Sequence, residues 1–195
     1  MLLAVNAETA RVKALFHSDR ERVEADLLKN PLNDRQAFAY FGLLLGIFPP
    51  AAIIANFLPK TGNSRGEEFL ILVVVAVIVN LISATVGYFS GKLIGQIVSE
   101  LEKLSWSKMI IALPFIGILW GVLAGGAGGI IIFIIGALFG AIFGAMVGSA
   151  ALPAFAIFHR LLKKGDRIDR QHFLPLAFGI TFIISAFILS LKMFH

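Results

Sequence analysis

Cysteine is absent from this sequence. Its absence excludes disulfides, thiolate nucleophiles and cysteine-ligated metals or clusters. Charge is scarce as well. Only 15% of residues are Asp, Glu, Lys or Arg and 58% are apolar, where soluble domains carry about 25% and about half. The mean hydropathy is +0.88. No Lys-Ser/Thr pair follows the glycines as a P-loop requires, and no strand precedes a dinucleotide-type glycine turn, so no cofactor is expected. The four histidines, His17, His159, His172 and His195, lie in tails, loops or at apolar borders with no triad-type partner.

The charge that is present is clumped. Four stretches, 37–59, 69–91, 109–159 and 173–191, hold no Asp, Glu, Lys or Arg. Crossing ~30 Å of hydrocarbon takes about 20 helical residues. The first, second and fourth stretches each fit one crossing, and the third fits two. GGAGG, Gly125–Gly129, reads as the tight turn dividing that third stretch. The expected fold is an all-α, polytopic membrane helical bundle of about five transmembrane helices, over about 37–58, 69–91, 109–124, 130–158 and 173–191. Residues 1–36 form a cytoplasmic N-terminal amphipathic segment, too polar at its start for a signal peptide.

Alternating the loops puts six, three and five Lys or Arg on one side, in 1–36, 92–108 and 160–172. Lys60, Arg65 and Lys192 fall on the other. This asymmetry predicts a cytoplasmic N-terminus and an outer C-terminus in a bacterial-type inner or plasma membrane. It also explains a pI near 9.7 without nucleic acid, for which no binding motif is present. Trp106 and Trp120 lie about 21 Å apart on a helix, as interfacial anchors would.

Ser18 with Glu21, and Asn33 with Gln36, are capping-box patterns that start helices. The stretch 23–46 is similar to a junction of tetratricopeptide repeats at Asn30-Pro31, Asn33-Asp34, Ala37 and Tyr40. Such arrays need several stacked repeats, and here the second would dissolve into a membrane span. NP-x-ND is then turn and cap chemistry. KLIGQIVSELEKL, 92–104, continues the second helix beyond the membrane with Ile97, Leu101 and Leu104 on one face.

Thirteen of the nineteen glycines stand in G-x-x-x-G series. They include Gly42 and Gly46; Gly87, Gly91 and Gly95; Gly117 and Gly121; and Gly136, Gly140, Gly144 and Gly148. In lipid, leucine gains little by leaving one apolar medium for another. Helices associate by close backbone approach along small residues. The pattern resembles a glycine zipper, a packing motif shared by unrelated membrane proteins. Pro49 and Pro50 mark a kink in the first span, since proline removes helix hydrogen bonds. Asn80, Ser83 and Thr85 lie close in the second span and could line a small polar cavity or bond to other helices. In HRLLKKGDRIDRQH, 159–172, the cations Arg160, Lys163, Lys164, Arg167 and Arg170 could meet anionic lipid headgroups. Asp166, Asp169 and His172 recur every third residue without completing a metal site. Asp169 reads more simply as a helix cap.

No ionised side chain is expected within the hydrocarbon, where coupled transporters usually place one. The expectation is a non-catalytic accessory, assembly or scaffold subunit of a membrane complex. Its partners would be the bilayer and other membrane subunits or further copies of itself. A self-associating channel or small-solute facilitator is the alternative. An enzyme acting on lipid headgroups is the third reading.

Overall fold

The computed structural model describes residues 31–57 and 66–191. The amphipathic segment expected over 1–36 lies almost wholly outside the described residues. A short strand β1, Pro31–Asn33, leads into α1, Asp34–Phe57. Then follow α2, Gly66–Leu101, and α3, Trp106–Gly129. A 3-10 turn, Ile130–Ile132, joins α3 to α4, Phe133–Leu162. Strand β2, Arg167–Asp169, precedes α5, Arg170–Ser190.

Four stretches are long and apolar enough to cross a membrane: Asp34–Asn56, Phe69–Leu101, Trp106–Leu162 and Arg170–Ser190. The third is 57 residues long and contains both α3 and α4. It is divided, but not where the glycines predicted. Gly125–Gly129 is helical to its end, and the chain reverses over Ile130–Phe133. The physical reason is that these glycines are contact points rather than turn residues. Gly125 faces Gly140 and Gly129 faces Gly136, so α3 must stay helical to present them.

The pairing continues down both helices, Gly121 against Gly144 and Gly117 against Gly148. Each step of four down α3 meets a step of four up α4, as in an antiparallel hairpin. A methyl group added at any of these glycines would stand less than 3.0 Å from a carbonyl oxygen of the facing helix. The α1–α2 pair repeats the arrangement. Gly42 faces Gly87, Gly46 faces Ser83, Gly91 faces Phe38 and Gly95 faces Asp34.

Side chains ordered at one end of the bundle make the core. Phe41 stacks on Phe155 with centroids 3.9 Å apart, and Phe38 meets Phe155 edge-on at 5.0 Å. Met109, Leu113, Leu152 and Val98 close around them. The strands sit at this same end. They pair antiparallel with Leu32 opposite Ile168, and both side chains are buried. This ribbon, which no periodicity in so short a stretch could reveal, ties the start of α1 to the start of α5. The capping box forms as read: Asn33 Oδ1 accepts from Gln36 N–H at 2.8 Å, and Gln36 Oε1 accepts from Asn33 N–H at 3.2 Å. Asp169 caps α5 through Gln171 N–H. Helix α5 packs along α1, with Phe182 5.0 Å from Phe48 and Asn56 Nδ2 donating to the Ile188 carbonyl.

Helix α2 has 36 residues, about 54 Å at 1.5 Å per residue. It therefore continues beyond a ~30 Å hydrocarbon layer, as the 92–104 pattern predicts. Its inward face there is Ile94 and Val98, whereas Ile97 and Leu104 are exposed. Trp120 is not an interfacial anchor. It is 3% exposed, fills the space left by Gly42, and donates from Nε1 to Ser90 Oγ at 2.8 Å.

Candidate functional site

Two features stand out, at opposite ends of the bundle. The first is an apolar cleft of about 620 Å3 between the α1–α2 and α3–α4 pairs. Gly46, Pro49 and Pro50 of α1 form one wall, and Phe139, Phe143 and Gly144 of α4 the facing one. Val79 and Ser83 of α2 and Trp120 and Gly125 of α3 line the cleft between them. The prolines have no N–H, so the carbonyls of Leu45 and Gly46 lose their usual helical donors. Both of those residues also line the cleft. Ser83 is the one hydroxyl among the described lining residues. Such a wall suits an apolar group. It offers a hydrated ion or a sugar almost nothing in exchange for lost water.

The expected polar cluster does not converge. Ser83 is buried and lines the cleft. Thr85 is exposed, and its hydroxyl donates back to the Leu81 carbonyl at 2.7 Å. Asn80 is half-buried, and its Oδ1 has no hydrogen-bond partner. Residues five apart on a helix point in different directions, which the spacing of 80, 83 and 85 already implied.

The second feature is a buried charge cluster at the end that holds the core. Asp34 comes from the start of α1, Glu102 from just beyond α2, and His159 and Lys163 from the end of α4. Lys163 Nζ lies 3.3 Å from Asp34 Oδ2 and also pairs with Glu102 Oε2. His159 is fully buried between the rings of Phe38 and Phe155. Its Nε2 stands 3.6 Å from Asp34 Oδ1, and neither ring nitrogen has a hydrogen-bond partner. Burial raises the Glu102 carboxyl above its ordinary value, against the pull of Lys163. Burial alone would lower the Lys163 ammonium. The hydrogen bond to Glu102 and the Asp34 and Glu102 charges outweigh that and hold it above its ordinary value.

This cluster corrects one sequence expectation. Lys163 does not reach toward headgroups, because its side chain is 13% exposed and engaged by two carboxylates. Arg160 is also turned in. Its guanidinium lies 4.2 Å over the Trp106 ring, and Nη1 lies 3.1 Å from Met109 Sδ. Lys164, Arg167 and Arg170 are exposed, around a turn where Gly165 has φ 58°. Sequence reasoning missed the cluster because its members lie up to 129 residues apart. The available signal was weak: Asp34 and Lys163 lie within a few residues of an apolar run, the position where inward pairing and outward solvation look alike.

The chain shows no match to protein-family models, to curated proteins or to solved structures.

Proposed function

We propose that this chain is a non-catalytic integral membrane protein, an accessory or scaffold subunit with five helices embedded in the bilayer. Its N-terminus is cytoplasmic and its C-terminus is outside, following the basic asymmetry of the loops. Two glycine-zipper hairpins, α1–α2 and α3–α4, build it. The carrying observation is that the α3 and α4 glycine stripes face each other, and those of α1 and α2 pack on the backbone of the facing helix of the same chain. Stripes used this way are not available to bind further copies, which argues against assembly of a pore through them.

The cleft supports the same reading. Its apolar wall fits a hydrophobic group of a partner subunit better than a water-soluble solute, so a small-solute facilitator has less to recommend it. The charge cluster ties both hairpins together beside the Phe38, Phe41 and Phe155 rings, a fastening position rather than a reactive one. Asp169, which a headgroup-directed enzyme would need, is occupied as the α5 cap.

The test is purification of the tagged chain from its native membrane in mild detergent, with subunit ratios read by mass spectrometry. A different membrane subunit in fixed ratio is the expected result. Recovery of this chain with no stoichiometric partner, together with solute flux through liposomes containing it alone, would replace this reading by the facilitator.

A further inference from the structure

Residues 130–135 read IIIFII. All six side chains are exposed, from 40% at Ile131 to 86% at Ile134. They form the tip of the α3–α4 hairpin, where a chain emerging into water would carry polar turn residues. No Asp, Glu, Lys or Arg occurs anywhere from 109 to 159.

We infer that this tip never enters water: it stays immersed in the leaflet away from the charge cluster, covered by the acyl chains of the bilayer's own lipids. The inference rests on the membrane reading above and goes beyond it, because it removes the aqueous loop expected between the third and fourth spans.

Three observations carry it. The first is length. Helix α3 has 24 residues, about 36 Å, counted from Trp106 and Lys108 at the basic end. A bilayer is about 40–45 Å thick with its headgroups and ~30 Å without them, so a helix that starts in the headgroup layer at Trp106 ends at the far edge of the hydrocarbon and not beyond the slab. The second is continuity. The apolar exposed side chains of the two arms, including Leu119, Leu123, Leu138 and Ile142, run into the tip with no polar border. Whatever medium covers those arms covers the tip. The third is Phe133. It is the only non-glycine residue with positive φ among the described residues, at 60°, and its side chain is 85% exposed. Glycine would adopt this conformation freely. In water, phenylalanine here would be strained and would also expose a large apolar ring. In hydrocarbon the exposed ring carries no such penalty, and only the backbone strain remains. Irregular backbone in lipid must have its polar groups satisfied. The reversal is correspondingly short: Ile130 N–H bonds to the Gly126 carbonyl, and Phe133 N–H to the Ile130 carbonyl.

The absence of cysteine makes the test direct. Ile131→Cys and Phe133→Cys would each carry a nitroxide spin label in the full chain, reconstituted in phospholipid nanodiscs that leave both faces open to water. Collisional relaxation is then measured with oxygen, which concentrates in lipid, and with a water-soluble nickel chelate. Lys103→Cys is the aqueous reference and Leu138→Cys the lipid reference. The expected result at both tip sites is high oxygen and low nickel accessibility, matching Leu138→Cys. Nickel accessibility like that of Lys103→Cys would overturn the inference, because the tip would then be in water. Low accessibility to both reagents would also overturn it, because protein would then cover the tip. If Leu138→Cys itself reports water, the membrane reading fails, and the tip inference fails with it.

Discussion

Gly121 and Gly144 face each other across the α3–α4 hairpin so closely that a methyl group on either would press into the other's carbonyl oxygen. Overpacking of this kind costs about 1–3 kcal/mol. Gly121→Ala and Gly144→Ala should each lower stability by that order, read as thermal unfolding in detergent. Gly126→Ala and Gly179→Ala are the controls. At Gly126 the nearest atom to an added methyl is 3.6 Å away, and at Gly179 nothing lies within 4 Å. These two should leave stability unchanged or raise it by up to about 1 kcal/mol, the helix-propensity gain of alanine over glycine.

Part of this hairpin was legible in the sequence, because small residues repeating every four along an apolar helix permit close backbone approach. The position of its turn was not. Glycine breaks helices in water but marks contact points in lipid, so GGAGG read as a break at Gly125–Gly129 and was instead the last contact of α3. The charge cluster was illegible for a different reason. Lys163 looks the same in sequence whether it faces phosphate or two carboxylates. Only the fold brings Asp34 and Glu102 to it. The caps at Asn33 and Asp169 are local interactions, and both could be read directly.

Breaking the cluster should be costly. Lys163→Ala leaves Asp34 and Glu102 buried without their cation, and removing one partner of a buried pair costs about 3–5 kcal/mol. The triple variant Lys163→Met, Asp34→Asn, Glu102→Gln should recover most of that loss, since it buries no unpaired charge. Thermal unfolding of the single and triple variants checks this. A single variant as stable as the parent would mean that the cluster is solvated.

The pH dependence follows from the signs of the two shifts. The Lys163 pKa is raised above 10.5 in the folded state. Its contribution is complete below 10.5 and is lost as pH rises through the folded-state pKa. The Glu102 pKa is raised above 4.5. The folded state therefore holds that proton more tightly, and stability falls as pH rises from 4.5 through the raised value. Glu102→Gln should reduce this acidic-side slope. On the alkaline side, Lys163→Met should abolish the loss above 10.5. Unfolding curves from pH 4 to 11 read both.

Trp120 gives a spectroscopic prediction. In Trp106→Phe, Trp120 is the sole tryptophan. Its emission should be blue-shifted and resistant to an aqueous quencher, as for an indole buried against Gly42. Trp120→Phe removes the hydrogen bond to Ser90 and should cost about 1 kcal/mol. An emission at the wavelength of free indole in water would return Trp120 to an interfacial position.

Pairing of the glycine stripes within one chain is tested most directly by counting chains. Native mass spectrometry of the complex released from mild detergent gives the number of copies per particle. The expected result is one copy of this chain per particle, bound to a different subunit. Particles holding several copies, and dissociating when Gly144 is replaced by Leu, would contradict it, because the stripes would then be joining subunits.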